Sequence, residues 1–240
     1  MDVLLVHGFT QTGASWARVR AALPERYRAL APDLRGHGNA GDLEPVDLQA
    51  VIDDLVRIAE TGRIALCGYS MGGRIALHAA LAADFADRIE RLVLIGASPG
   101  IADPRERAAR RADDERLATE IERAWSIEAV ARRWAQTPVL ADQPPDVAAL
   151  AHSDRLRNRP VGLARALRGL GTGALPSLWD RLGELTTPVA LVVGERDAKF
   201  RAIADEMAQR ITSAEVIVAA GAGHAVHLEA PEVVAAAIAR

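Results

Sequence analysis

The sequence has little of what several classes of protein require. Its 240 residues include a single cysteine, Cys67, which excludes an internal disulfide and a metal cluster held by cysteines. No apolar run approaches the length that spans a membrane, and no H-E-x-x-H metal motif occurs. The formal net charge of −3 argues against bulk attraction to nucleic acid or to an anionic membrane. We therefore expect no metal ion, no nucleic acid and no membrane insertion.

The start of the chain lacks the basic region and apolar segment of a signal peptide, so the cytoplasm is the expected location. Hydrophobic residues make up 50% of the chain, which is enough for a substantial core. The length predicts one domain, or one domain with a cap. The oligomeric state is left open.

A G-x-S-x-G motif is the strongest positive signal. It runs from Gly68 to Gly72, with Ser70 at its centre. The run 63–67 before it is typical of a buried strand, and 73–81 after it is typical of a helix. A serine on such a sharp strand-to-helix turn exposes its hydroxyl, and the glycines allow the tight backbone. The pattern alone would also fit an ordinary turn, because glycine and serine are common.

Two further residues in chain order favour catalysis. Asp197 follows the apolar run 188–194, and His224 follows the predicted strand 214–219. The order Ser70, Asp197, His224 is that of α/β hydrolases, and each residue stands just past a strand end, where active sites of open α/β sheets form. Histidine would take the serine proton, and aspartate would fix the imidazole tautomer. The simpler interpretation makes Asp197 a helix cap and His224 a turn residue.

An oxyanion-hole loop is predicted near the start of the chain. Strand 2–6 is followed by His7-Gly-Phe9, an H-G-x turn. The backbone N–H groups of Phe9 and of Met71, the residue after the serine, would point at one oxyanion. We expect His7 to hold the loop rather than to do chemistry.

The order of predicted elements indicates one α/β sheet. Strands are expected at 2–6, 28–32, 63–68, 91–96, 188–194 and 215–219, with helices at 15–23, 47–60, 71–83 and 231–238. The stretch 100–185 breaks the alternation, since it is helical, charged and without a strand signal. Residues 1–99 and 186–240 are therefore predicted to form the core, and 100–185 a helical cap over the carboxyl edge of the sheet.

Longer motifs resemble one family over nearly the whole chain. They are His7-Gly-Phe9, Gly68-Tyr-Ser-Met-Gly-Gly-Arg74, Glu106-Arg-Ala-Ala-Arg110, Trp134-Ala-Gln-Thr-Pro-Val139, Arg155-Leu-Arg-Asn-Arg-Pro160, Leu167-Arg-Gly-Leu-Gly-Thr-Gly173, Gly194-Glu-Arg-Asp-Ala-Lys-Phe200 and Ala222-Gly-His224. They are similar to those of 2-succinyl-6-hydroxy-2,4-cyclohexadiene-1-carboxylate synthases (MenH), menaquinone-pathway enzymes of the α/β-hydrolase fold. That family carries two more strands before the H-G-x strand, so here the resemblance predicts six strands, all parallel.

The resemblance implies a lyase reaction without a cofactor. Pyruvate would be lost from 2-succinyl-5-enolpyruvyl-6-hydroxy-3-cyclohexene-1-carboxylate, with Ser70 as the base that removes a ring proton. This small anionic substrate carries three carboxylates, and the family's substrate-binding arginines match Arg74, Arg110 and Arg155. An arginine fork suits a carboxylate because it binds both oxygens. Tyr69 and Trp134 match pocket-lining positions of the family. The neighbours of Arg110 and of Arg155 include other arginines, any of which could simply face solvent.

Two other functions stay open. A carboxylesterase or C–C bond hydrolase would use the same triad with Ser70 as nucleophile, and the fold cannot decide between these reactions. A non-catalytic protein on this fold would bind a small ligand. The set of arginines favours an anionic substrate over a neutral ester.

Overall fold

The computed structural model describes residues 1–60, 62–124 and 126–240, so residue 125 of the predicted cap lies outside the described part. The strands are β1 (Asp2–Val6), β2 (Arg28–Leu30), β3 (Ile64–Tyr69), β4 (Ile89–Ile95), β5 (Val189–Gly194) and β6 (Ala214–Ala219). The α-helices are α1 (Ala17–Ala22), α2 (Leu48–Ile58), α3 (Met71–Ala80), α4 (Ala83–Ala86), α5 (Pro104–Ala124), α6 (Ile127–Ala135), α7 (Pro145–Arg155), α8 (Pro160–Leu170), α9 (Ala198–Ala208), α10 (Val226–Glu229) and α11 (Pro231–Ala239). Short 3₁₀ helices occur at Gly13–Trp16, Gly38–Ala40, Pro138–Leu140 and Trp179–Glu184.

All six strands are parallel, in the order β2-β1-β3-β4-β5-β6, so the predicted fold class is confirmed. Parallel strands require a crossover between them, and helices alternate with the strands for that reason. Strand β2 ends at Leu30, two residues earlier than predicted, because Pro32 has no N–H to donate to a neighbouring strand. Strand β4 begins at Ile89, two residues earlier than predicted.

Both faces of the sheet are covered, which is why the strands are apolar throughout. Alternate residues of the strands point to opposite sides. Leu4, Leu66 and Leu191 pack in one core, which contains residues of α2, α3 and α9. Val3, Cys67 and their neighbours pack in the other core, which contains residues of α1, α10 and α11.

The segment between β4 and β5 carries α5 to α8 and no strand in its described residues. It has a small apolar core of its own, in which Ile121, Val130 and Leu163 come from three of these helices. We refer to α5–α8 as the inserted helices. Their treatment as a separate cap domain remains a prediction.

Candidate active site

Ser70 occupies a strained turn between β3 and α3. Its φ is +52°, which is uncommon for a residue other than glycine, and its N–H donates to the carbonyl of Ile95 at 2.8 Å. The flanking glycines allow this turn. A Cβ on Gly72 would lie 2.2 Å from the carbonyl oxygen of Val6, and one on Gly68 would lie 2.4 Å from that of Gly72. The spacing of the motif therefore follows from how closely α3 approaches β1.

The structure brings Ser70, His224 and Asp197 together. The Nδ1 atom of His224 lies 2.6 Å from Oδ2 of Asp197, and its Nε2 atom lies 3.2 Å from Oγ of Ser70. A carboxylate can only accept, so Nδ1 carries the proton and Nε2 is left to accept from the hydroxyl. Asp197 also begins α9, since its Oδ1 accepts the N–H of Phe200 at 3.2 Å. The arrangement can remove a proton from the Ser70 hydroxyl.

The imidazole of His224 is enclosed on several sides. Its ring centroid lies 4.5 Å from that of Phe200 and 5.3 Å from that of Tyr69. Gly96, at φ +51°, lies against it, and a Cβ there would come within 2.8 Å of Cε1 of His224. Only glycine suits both this backbone and this close approach. Sequence reasoning missed Gly96, although its place directly after β4 was a possible signal.

The loop after β1 is held by His7. The Nε2 atom of His7 accepts the N–H of Leu34 at 2.9 Å, so Nδ1 carries the proton and donates to the carbonyl of Gly8 at 2.9 Å. Burial lowers the pKa of His7 to about 4, which keeps the ring neutral at pH 7. Among the described residues, no acceptor is found for the N–H groups of Phe9 and Met71. Both groups are thus available to a ligand.

A cavity of about 90 Å³ opens beside Ser70. Five further residues from the sequence-based set line it, namely Phe9, Met71, Arg74, Arg110 and Trp134. The remaining wall comes from α8 and the residues after it, with Leu167, Leu170 and Thr172 among them. The indole of Trp134 packs edge-on against Phe9, with ring centroids 4.7 Å apart.

Two arginines give this cavity its charge. Arg74 is buried, donates from Nη2 to the carbonyl of Leu170 at 3.1 Å, and has no partner for Nε among the described residues. Burial lowers the pKa of Arg74 to about 10, and the nearby Arg110 adds to that effect. Arg110 is paired through Nε with the buried Asp114 at 2.8 Å. Sequence reasoning missed Asp114, although its i+4 spacing from Arg110 on one helix was a usable signal.

Arg155 and Tyr69 do not line this cavity. Arg155 is 2% exposed, and its Nε and Nη1 atoms have no partner in the described part of the chain. Burial lowers the pKa of Arg155, and Tyr69 partly offsets this. The ring of Tyr69 packs at a tilt of 37° on that of His227, with ring centroids 4.1 Å apart, and it lies against Gly8, where a Cβ would come within 2.7 Å of it.

Four histidines outside the triad are buried, and all have a lowered pKa because burial disfavours the charged ring. The pKa falls to about 4 for His7 and His78, to about 3 for His227, and well below its usual value for His37.

We expect the free energy of unfolding to be greatest above pH 6.5 and to fall as the pH drops from 6.5 toward 4. In this pH range the histidines are protonated in the unfolded chain but stay neutral in the folded chain. This difference lowers the free energy of unfolding by about 1–2 kcal/mol for each histidine at pH 5. Urea unfolding at pH 7.5, 6 and 5 measures this, and equal stabilities at all three would contradict it.

No group of His, Cys, Asp or Glu with the geometry of a metal site occurs within residues 1–60, 62–124 and 126–240. Among the same residues, no helix combines the length and the apolar character needed to cross a membrane.

Comparison with known proteins agrees with the fold and the motifs. A model described as "Alpha/beta hydrolase family" matches residues 3–237. The chain is 36% identical to the putative 2-succinyl-6-hydroxy-2,4-cyclohexadiene-1-carboxylate synthase of Bacillus subtilis (strain 168), over 95% of this chain and 85% of that protein. The chain belongs to the MenH family of α/β hydrolases. The predicted resemblance is confirmed, and the chain is an enzyme of the α/β-hydrolase fold.

Solved structures agree with this MenH assignment. MenH from S. aureus superposes with a TM-score of 0.92 at 30% identity, over 100% of this chain and 92% of that one. A thermophilic esterase from Thermogutta terrifontis, solved with malate bound, superposes with a TM-score of 0.84 at 29% identity, over 100% of this chain and 88% of that one. The same backbone therefore also occurs in an esterase.

Proposed function

We propose that this enzyme eliminates pyruvate from 2-succinyl-5-enolpyruvyl-6-hydroxy-3-cyclohexene-1-carboxylate, giving 2-succinyl-6-hydroxy-2,4-cyclohexadiene-1-carboxylate in menaquinone biosynthesis. The observation that carries the proposal is the hydrogen-bonded chain from Asp197 through His224 to Ser70, beside a cavity that two arginines line. The names of its relatives in the MenH family support the same reaction.

The chemistry follows from the proton positions. Nε2 of His224 takes the Ser70 proton, and Oγ of Ser70 then removes a proton from the substrate ring. The electron pair of the broken C2–H bond forms a C2=C3 double bond, the existing C3=C4 pair shifts to C4=C5, and the C5–O bond breaks to expel the enolpyruvyl oxygen. The leaving group takes up a proton and becomes pyruvate. The N–H groups of Phe9 and Met71 would stabilise the oxyanion that develops on the substrate.

The direct test is an assay of purified protein with freshly prepared enolpyruvyl substrate, in which pyruvate is followed by coupled reduction to lactate. We expect release of pyruvate in equal amount to the cyclohexadiene product. Absence of pyruvate from a folded protein would overturn the proposal.

Arg74, Arg110 and Arg155 are proposed to bind the substrate carboxylates. A charge-assisted hydrogen bond to a buried carboxylate is worth roughly 1.5–3 kcal/mol, so each change to alanine should lower kcat/KM by about 10- to 150-fold. Lysine should restore part of the loss, because a point charge cannot reproduce the arginine fork. Arg105 is exposed on the same helix as Arg110, so Arg105→Ala is the matched control and should change kcat/KM little. Wild-type kcat/KM in all three alanine variants would contradict the tricarboxylate pocket.

A carboxylesterase is the second candidate, and the likeness to the Thermogutta esterase favours it over a non-catalytic binding protein. The same triad could use Ser70 as a nucleophile. The two reactions differ in whether a covalent intermediate forms. With Ser70 as a base, we expect no adduct during turnover of the enolpyruvyl substrate, measured by rapid quench and intact mass spectrometry. An adduct on Ser70 that forms and decays at the turnover rate would instead support the hydrolase.

A further inference from the structure

The oxyanion loop, residues 7–13, has a conformation that its own sequence disfavours. Gly8 to Gln11 form a turn that is closed by the N–H of Gln11 donating to the carbonyl of Gly8 at 3.2 Å. Thr10, the third residue of that turn, has φ +66°. A β-branched residue is unfavourable at such an angle, where glycine or asparagine is the usual choice. Contacts from outside the turn therefore have to hold it, and the N–H of Phe9 depends on them for its direction.

One such contact comes from the last turn of α7. The carboxylate of Asp154 accepts twice from Thr12, at 2.9 Å from the backbone N–H and at 2.5 Å from the hydroxyl. Both residues are buried, with exposures of 7% for Asp154 and 2% for Thr12. A buried carboxylate with two donors from a single residue fixes that residue in place, because losing either donor leaves a charge short of hydrogen bonds.

A second contact comes from Asn158, one turn beyond Asp154 and 4% exposed. Its Nδ2 atom donates to the carbonyl of Thr10 at 2.8 Å, and its Oδ1 atom accepts the N–H of Gly38 at 3.0 Å. The carbonyl of the strained residue is thus held directly. Thr10 cannot rotate toward a relaxed φ without breaking a buried hydrogen bond.

We propose that Asp154 and Asn158 are positioning residues that hold the oxyanion loop so that the N–H of Phe9 faces the oxyanion beside Ser70. The inference rests on the proposed role of that N–H in the site. Arg155 lies between the two in sequence, and Nδ2 of Asn158 also donates to its carbonyl at 3.1 Å. The same turn therefore holds the loop and carries a proposed substrate-binding side chain.

The proposal differs from a simple anchoring of α7 to the core. The other end of the same helix is also attached to the core, by an exposed ion pair of Asp146 with Arg18 at 3.1 Å that involves no residue of the loop. Asp146→Asn removes that tie and is the matched control for Asp154→Asn. A general loss of helix attachment would affect both variants alike.

The test uses an aryl fluorophosphonate, whose rate of reaction depends on Ser70 and on the oxyanion donors and does not require the natural substrate. Oγ of Ser70 attacks phosphorus, fluoride leaves, and the hydroxyl proton passes through His224 to solvent. The phosphoryl oxygen occupies the oxyanion position. We expect Asn158→Asp, which keeps shape but loses the donor to Thr10, to lower the second-order labelling rate about 10- to 100-fold, part of the loss on removing one oxyanion donor. Thr12→Val, which keeps the backbone donor to Asp154, should lower it less, and Asp146→Asn should leave it unchanged.

The same variants are then compared for pyruvate release and for urea unfolding. We expect kcat to fall about as much as the labelling rate while KM changes less than about threefold, since the loop acts on the developing charge. Wild-type labelling in both Asn158→Asp and Thr12→Val would overturn the proposal, as would an equal loss in Asp146→Asn. Asp154→Asn removes the carboxylate that accepts from Thr12. If that variant does not fold, Thr12→Val tests the same contact from the side of the donor.

Failure of the proposed reaction would be distinguishable. A wild-type protein that is labelled at Ser70 but releases no pyruvate would contradict the lyase assignment and leave the positioning test valid. A folded wild-type protein that the probe does not label, with Ser70→Ala as the blank, would overturn the positioning proposal, because no reactive oxyanion site would exist.

Discussion

Replacing Ser70 by alanine should lower kcat/KM for pyruvate release by about 10⁴- to 10⁶-fold, the loss typical of removing the serine of a triad. The hydroxyl is the proposed base, and it is the group that His224 activates across 3.2 Å. The fold should survive, because among the described residues the Ser70 side chain bonds only to His224, and alanine at φ +52° is no more strained than serine. Pyruvate release and the urea unfolding midpoint measure the two effects separately.

Ser153→Ala is the control for this experiment. Ser153 is an exposed hydroxyl on α7, and its loss should leave kcat/KM unchanged. Near-normal pyruvate release by Ser70→Ala would end the assignment of Ser70 as the base, whatever the control shows.

Asp197→Asn should lower kcat by about 10⁴-fold, as the corresponding change does in a serine triad. The amide would present N–H groups to Nδ1 of His224, which forces the proton onto Nε2. That tautomer cannot accept the proton of Ser70. Stability should change little, because the asparagine carbonyl can still accept the N–H of Phe200 and begin α9. Steady-state rates and unfolding midpoints check both halves of the prediction.

Asp205, exposed on α9, provides the matched control, since Asp205→Asn makes the same chemical change on the same helix. We expect wild-type kcat for it. An Asp197→Asn enzyme with a tenth or more of wild-type kcat would show that the tautomer of His224 does not limit the reaction.

The sheet and the triad were predictable because their signals are local. An apolar run that ends at a polar loop residue identifies a strand end, and the G-x-S-x-G spacing reflects close packing of α3 on β1. Parallel strands then bring Ser70, Asp197 and His224 to one edge of the sheet without further information. Arg110 could be singled out among its neighbouring arginines only through the resemblance.

The contacts between the inserted helices and the core could not be predicted in this way. Thr12 and Asp154 are 142 residues apart, and neither belongs to a periodic pattern that would pair them. The burial of Arg155 likewise depends on how α7 packs on the core, which no local rule determines. The early end of β2 differs from these, because Pro32 is a local signal that limits the strand from the sequence itself.

The wide sequence separation of the site's hydrogen bonds has a consequence for biosynthesis. The Ser70–His224 bond spans 154 residues, and His224 follows β6 in the chain. The turn at Ser70 and the loop at His7 can form earlier, because Ile95, Leu34 and Asn158, which hold them, all precede β6 in the chain. The proton relay cannot form until β6 and His224 have been made, so a growing chain can acquire most of its sheet before its reactivity.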